Sequence, residues 1–221
     1  MEELSGAQTN IYTRITMGIQ LVLILAAVIL FFQKNWFDLF ATLLLIGFNL
    51  LPVFLYRRYQ IVIPPEFEFI AVLFVFAAVF MGTVRGLYVT LPWWDTLLHT
   101  TSGFLLGIIG FLAIFVLNRT DHIPRGMSPF FMCFFAVTFA VFLGVVWELV
   151  EFGIDLIWPQ MDMQFAASGV QDTMIDLMVD TIGAIVVAIF GYAYMRSGKF
   201  SFLANGIRGF VQKNPRFFGS T

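Results

Sequence analysis

The sequence predicts an all-α membrane protein, a polytopic bundle of six transmembrane helices with both termini on the cytoplasmic side. Its composition, the length of its apolar runs and the placement of its basic residues support this fold class. Of the 221 residues, 60% are hydrophobic and 12% are charged, whereas a soluble domain is about 45–50% apolar and about 25% charged. The net charge of −2 argues against nucleic acid as a partner.

Six apolar runs are long enough to cross the membrane, because a helix needs about 20 residues to span roughly 30 Å of hydrocarbon. Transmembrane strands are not expected, since the runs are continuous rather than alternating in polarity. We therefore expect one six-helix transmembrane domain over residues 1–196. The predicted spans are 15–32, 36–56, 67–88, 96–117, 130–156 and 172–195.

The tail, residues 197–221, combines several phenylalanines with lysines and arginines. This mixture is typical of a segment that lies on a membrane surface, with its rings in the lipid and its charges at the head groups. The sequence therefore predicts a basic, Phe-rich cytoplasmic tail in contact with membrane lipids. A partly disordered basic tail is the alternative interpretation.

Basic residues in the short loops predict the orientation of the helices. With the N-terminus inside, only Lys34 and Arg85 face outward, and the loop between the last two helices carries no basic residue. Both termini are therefore predicted to be cytoplasmic. The basic residues on the inner side are Arg14, Arg57, Arg58, Arg119, Arg125, Arg196, Lys199, Arg208, Lys213 and Arg216.

This topology brings acidic side chains from three successive helices to the outer side of the membrane. Residues four apart share one face of a helix, and this spacing recurs at the start of the fourth and sixth helices. The short connection between the fifth and sixth helices predicts that they are neighbours. We call the resulting group the acidic cluster. It consists of Asp95, His99, Glu148, Glu151, Asp172, Asp176 and Asp180.

A divalent cation is the most economical partner for these side chains. A carboxylate at the bilayer centre costs about 2.5–3.5 kcal/mol on translocon scales, and ionised carboxylates close together repel one another. They must be partly protonated, or neutralised by a cation or by Arg85. Carboxylates with one imidazole suit Mg²⁺, Mn²⁺, Fe²⁺ or Zn²⁺. All seven members of the acidic cluster are therefore predicted metal ligands.

Some of these residues have simpler interpretations. Asp95 and Asp172 could each cap a helix, a position where aspartate is favoured, and His99 could be a hydrogen-bonded core residue. Capping does not explain the four acids that lie further along their helices, and acids within the membrane are functional by default. Gly103 and Gly183 favour close helix packing. A further acid, Asp155, shares the face of Glu148 and Glu151 on the fifth helix, and it could simply be solvated at the interface.

The motifs on the last three helices resemble an uncharacterised bacterial inner-membrane family called YjdF-like. They are Asp-x3-His-x3-Gly opening one helix, an acidic pair ending the next, and Asp-x3-Asp-x3-Asp-x2-Gly-Ala opening the third. The same order is similar, more distantly, to the VanZ-like family, although Glu151 replaces its usual Gln and Asp180 its usual Asn. The resemblance covers residues 95–191. It implies a cell-envelope protein of a bacterial or archaeal cytoplasmic membrane, and it supplies no mechanism.

Three functions are compatible with this pattern. The first is an envelope enzyme, a metal-dependent hydrolase or transferase acting on an amphipathic lipid or lipid-linked substrate. Arg85 would then pair with an anionic head group, and Glu148, Glu151 or Asp176 would be the catalytic carboxylates, one of them a general base. The second is a cation- or proton-coupled transporter with the aspartates of the sixth helix as a relay. The third is a structural or ligand-sequestering protein.

Overall fold

The computed structural model describes residues 2–118, 126–164, 169–197 and 209–215. Throughout these ranges the regular secondary structure is helical. Residues 76–84 form a π-helix, residues 159–161 form a 3₁₀ turn and residues 209–213 form a short helix. The α-helices are α1 (Glu2–Phe32), α2 (Trp36–Asn49), α3 (Leu51–Tyr59), α4 (Pro65–Val75), α5 (Leu87–Thr90), α6 (Trp94–Asn118), α7 (Pro129–Ile157) and α8 (Val170–Ser197).

Six helical segments in the described ranges are long and apolar enough to cross a membrane, which confirms the predicted number and fold class. Many of their large side chains are exposed, including Phe32, Phe40 and Leu149, as expected for residues that contact lipid. The segments are Arg14–Phe32, Trp36–Tyr59, Pro65–Val84, Trp94–Phe115, Pro129–Ile157 and Val170–Ser197.

The third span ends before its predicted limit at residue 88. Helical structure stops at Val84, and Gly86 adopts a positive φ of 72° before the separate turn of α5. The chain thereby folds back, and the ring of Tyr88 occupies the space that a Cβ would need at Gly82. The predicted run contains Arg85 and Gly86 near its end. These two residues alone do not distinguish a continuing helix from a turn, so the sequence did not indicate this break.

The chain divides into two compact units, and the first consists of residues 1–94 and 209–214. Within it, α1 packs against α2 and α4, and α2 packs against the π-helix. The buried residues that fill these contacts include Leu23 of α1, Leu45 of α2 and Val72 of α4. The polar pair Asn49 and Gln20 joins α2 to α1 through an amide–amide hydrogen bond of 2.9 Å.

A single asparagine fastens the C-terminal segment to the loop after the second span. Asn214 accepts a hydrogen bond from the Val62 amide through Oδ1, and its Nδ2 donates to the Val62 carbonyl; both distances are 2.8 Å. These two residues therefore lie on the same side of the membrane, as four intervening spans require. The surface location predicted for the tail stays a prediction, and residues 198–208 and 216–221 lie outside the described ranges.

The second unit consists of residues 95–208 and 215–221, and its described part contains α6 after Trp94 with α7 and α8. The helices α7 and α8 pack against each other, as their short connection predicts. Glycines bring α6 and α8 into backbone contact, because a Cβ at Gly103 would overlap the backbone carbonyl of Asp180. A Cβ at Gly183 would lie 2.7 Å from the Phe104 nitrogen. This close approach brings Asp180 of α8 next to His99 and Ser102 of α6.

We expect Gly103→Ala to lower the free energy of unfolding by about 1–3 kcal/mol, because backbone atoms cannot yield to the added methyl group. Gly153→Ala on α7 is the matched control, since a Cβ there meets no atom within 4 Å. Thermal unfolding in detergent, followed by tryptophan fluorescence, measures both. Equal unfolding midpoints for the two variants would contradict the close contact of α6 with α8.

The orientation inferred from basic residues can be tested with reporter fusions. A fluorescent protein fused after Thr221 is expected to fold and fluoresce, whereas alkaline phosphatase at that point is expected to be inactive, because the C-terminus is predicted to be cytoplasmic. Phosphatase inserted after Trp158 is expected to be active. The opposite pattern of activities would reverse the orientation.

Candidate metal centre

Three helices of the second unit carry the acidic cluster, and they bury most of it. His99 comes from α6, Glu148 and Glu151 from α7, and Asp176 and Asp180 from α8. These five side chains belong to residues that are between 1% and 6% exposed. Buried polar groups need partners, and buried charges need counter-charges or metal ions. The contacts of each side chain therefore indicate what the site is built to hold.

The imidazole of His99 is held in one orientation by Asp180. Its Nδ1 lies 3.2 Å from Asp180 Oδ2, while Ser102 Oγ lies 2.5 Å from Asp180 Oδ1 and donates to it. In the tautomer that carries its proton on Nδ1, the imidazole donates this hydrogen bond to the Asp180 carboxylate. The neutral ring then presents the lone pair of Nε2 on its opposite edge.

That free nitrogen faces two carboxylates from two helices. His99 Nε2 lies 3.8 Å from Asp95 Oδ1 and 3.8 Å from Glu148 Oε1. Both distances exceed the 2.7–3.2 Å of an N–H···O hydrogen bond. Bonds of about 2.0–2.2 Å from one metal ion can separate two of its ligands by up to roughly 4 Å. The spacing therefore suits a cation between the three groups better than direct hydrogen bonds.

Glu148 has one oxygen that the described residues leave unsatisfied. Its Oε1, the atom facing His99, is buried and has no hydrogen-bond partner in the described part of the chain. Its Oε2 lies 3.4 Å from Nε2 of Gln164, which also contacts Thr173 Oγ1 at 3.2 Å. Leaving a buried acceptor unpaired costs about 1–3 kcal/mol, and more for a charged group. An additional ligand at Oε1 would remove this cost.

Two groups of potential ligands share His99. One combines Asp95, His99 and Asp176, and the other combines His99, Glu148 and Glu151. Within each group, one ligand atom per residue lies within 4.8 Å of the others. The second group is further ordered by Trp147, whose Nε1 donates to Glu151 Oε1 at 2.7 Å.

The remaining predicted site residues have other positions. Asp180 contacts the second nitrogen of His99, and Asp172 belongs to neither ligand group found among the described residues. Asp95 and Asp172 lie inside the first turns of α6 and α8, one and two residues after Trp94 and Val170. Neither is therefore a residue that precedes its helix as a cap, although both suit the helix dipole.

Arg85 lies in the first unit, exposed and immediately after the π-helix. Its pairing with a substrate head group stays a prediction. In the second unit, the sequences of α6, α7 and α8 contain no lysine and only one arginine, Arg196. That residue lies 16 positions after Asp180 on α8, roughly 24 Å along the helix axis. These three helices therefore provide no lysine or arginine near the acids.

Three residues near the site had no role in the sequence prediction. Ser102 follows His99 by three positions, so its shared helical face was a usable signal. Gln164 lies in the loop between α7 and α8, where sequence spacing carries no comparable information. Asp155 has the same outer position as the acidic cluster, and solvation at the interface was one interpretation of it. It accepts hydrogen bonds from the Met163 and Gln164 amides at 2.8 and 3.0 Å, and thereby places the Gln164 side chain.

Comparison with protein families identifies the family of this chain. The model of a family described as "Predicted membrane protein (DUF2238)" matches residues 15–197, a range that contains all six spans apart from Arg14 at the start of the first. The chain belongs to the DUF2238 family of membrane proteins. The resemblance to YjdF-like proteins is compatible with this membership, whereas the comparisons provide no support for a VanZ-like relationship.

A protein of Thermotoga maritima is similar to part of this chain. It is described as an uncharacterized protein, and the two are 30% identical over 121 residues. The match covers 54% of this chain and 58% of the relative, so the chain spans less than two thirds of that protein's length. No solved structure matches the chain.

We expect Ser102→Ala to destabilise the second unit by about 1–3 kcal/mol, because it leaves a buried carboxylate oxygen of Asp180 without its donor. Thr101→Ala is the matched control, since the Thr101 hydroxyl donates to the Leu97 carbonyl of its own helix. Chemical or thermal unfolding in detergent measures the difference. If both variants unfold alike, Ser102 does not support Asp180.

Proposed function

We propose that this DUF2238 protein is a divalent-metal-dependent membrane enzyme, a hydrolase or transferase that acts on an amphipathic lipid or lipid-linked substrate. The observation that carries the proposal is the orientation of His99. Asp180 binds its Nδ1, and its Nε2 faces the carboxylates of Asp95 and Glu148 at 3.8 Å. A histidine that ligates a metal characteristically donates its other N–H to a carboxylate in this way.

The donor set indicates which cations the site would take. One imidazole with carboxylates suits Mn²⁺, Fe²⁺ or Zn²⁺, and it suits Mg²⁺ less well because Mg²⁺ prefers oxygen ligands. Asp95, His99 and Glu148 would be the first ligands, and the unpaired Oε1 of Glu148 would gain a partner. A cation bound there would polarise a phosphoryl or acyl oxygen or lower the pKa of a bound water.

The side chains around the ligands would position the reacting groups. Gln164 contacts Oε2 of Glu148 and so turns its Oε1 toward His99. Glu151, held by Trp147, and Asp176 are the remaining carboxylates of the two ligand groups. A carboxylate that is not bound to the cation would accept a proton from the attacking nucleophile as a general base.

The depth of the site supports a lipid-type substrate. Asp176 lies six residues from the start of α8 and Glu148 nine residues from the end of α7, or about 9 and 14 Å along the helix axes. An amphipathic molecule could place its head group at that depth while its chain stays in lipid. The predicted orientation would open this site to the outer leaflet.

The packing of α7 and α8 weighs against transport as the function. Beyond Asp180, the buried positions described on α8 are Gly183, Ala184, Val187 and Gly191. The facing part of α7 buries mostly small or apolar residues, among them Ala136 and Ala140. A cation or proton path through that region would need polar groups to replace hydration. The site therefore fits an enzyme active site better than part of a transport pathway.

Metal binding can be measured directly on the purified protein. We expect the wild type to retain Mn²⁺, Fe²⁺ or Zn²⁺ in elemental analysis, and His99→Ala or Glu148→Gln to weaken binding at least about 10–100-fold, the loss typical of outer-shell partners alone. Glu66→Gln is the control, because Glu66 is an exposed acid of α4 in the first unit. Titration with Mn²⁺ after chelation gives the affinities.

The catalytic part of the proposal requires a second measurement. Phosphate and fatty-acid release from lipid phosphates and acyl lipids in micelles is expected to need added metal and to be lost in Glu148→Gln. Failure of the wild type to bind any of these metals would refute the proposed function. Bound metal without turnover of any lipid would instead support a ligand-sequestering protein.

A further inference from the structure

We infer that the acidic cluster holds two divalent cations side by side rather than one, and that its substrate carries a phosphate head group that bridges them. This inference rests on the proposed function, since it concerns the same site. Its basis is the way the two ligand groups divide the carboxylates around one imidazole.

The two ligand groups cannot both use His99. Its Nδ1 is engaged by Asp180, so Nε2 is its one free nitrogen and can bind one cation. Each group nevertheless contributes its own carboxylate pair, Asp95 with Asp176 in one and Glu148 with Glu151 in the other. A cation on each pair, with Nε2 serving one of them, uses every one of these ligands.

The charge of the site also favours two divalent cations. When ionised, the two carboxylate pairs carry four negative charges, which two divalent cations balance. A single cation would leave an excess of negative charge among helices that have no lysine or arginine near these acids, in surroundings where unbalanced charge is costly. Asp180 needs no cation, because His99 and Ser102 both donate to it.

The unsatisfied oxygen of Glu148 lies between its own carboxylate pair and the imidazole that the two ligand groups share. Oε1 is buried, has no hydrogen-bond donor among the described residues and lies 3.8 Å from His99 Nε2. A pair of cations with open positions binds the oxygens of a phosphate well, and it clamps the attacking and leaving oxygens of a displacement at phosphorus. Since α6, α7 and α8 offer no lysine or arginine near the site, the cations would supply the positive charge that a phosphate head group requires.

Mn²⁺ titration of the full chain in detergent, after removal of bound metal, tests this inference. Equilibrium dialysis is expected to give about two Mn²⁺ per chain, and electron paramagnetic resonance is expected to show an exchange-coupled pair. Asp176→Asn and Glu151→Gln each remove one ligand from one pair. Each is expected to reduce the stoichiometry to about one Mn²⁺ with an uncoupled spectrum, while Glu66→Gln keeps the coupled pair.

The possible outcomes separate this inference from the proposed function. One Mn²⁺ per wild-type chain, or two without coupling, would overturn the pair and leave a single-metal enzyme intact. No bound Mn²⁺, together with no other retained metal, would overturn both. Because the wild-type stoichiometry is decisive, the test does not depend on folding of the variants, and their unfolding midpoints are recorded beside it.

Discussion

The burial of acidic side chains in a region without basic residues is the constraint on which the second unit depends. Asp176, Asp180, Glu148 and Glu151 are almost fully buried, yet α6, α7 and α8 supply no lysine or arginine near them. Such groups remain in a membrane protein when hydrogen bonds, protons or cations offset the cost of removing them from water. Each described contact in this region can be understood as part of that compensation.

Close helix packing makes part of the compensation possible. The absence of side chains at Gly103 and Gly183 lets the backbones of α6 and α8 touch, and this brings Asp180 within hydrogen-bond distance of His99 and Ser102. A Cβ at Gly144 of α7 would lie 2.8 Å from Asp180 Oδ2, so α7 also closes against that carboxylate. The polar contacts of Asp180 therefore depend on the close packing of the three helices.

The sequence was sufficient to predict six spans and the convergence of three helices, because hydrophobic length and four-residue spacing are properties of a single helix. It could not predict which member of the acidic cluster contacts which other member. Spacing gives Asp172, Asp176 and Asp180 one face, but rotation and depth of packing decide that Asp180 meets the imidazole and Asp172 lies outside both ligand groups. Gln164 depends on how a loop folds back through Asp155. The break at Gly86 was equally hidden, because Arg85 and Gly86 alone do not distinguish a continuing helix from a turn.

The bond between Asp180 and His99 has a consequence for how such a site can diverge. An amide in place of this carboxylate is isosteric, so the fold need not change. With Ser102 donating to its oxygen, the amide would turn its NH₂ toward Nδ1 and force the imidazole proton onto Nε2. The lone pair would then be gone from the side that faces Asp95 and Glu148. A single exchange of oxygen for nitrogen could thus abolish the metal binding that we propose while the fold stays the same.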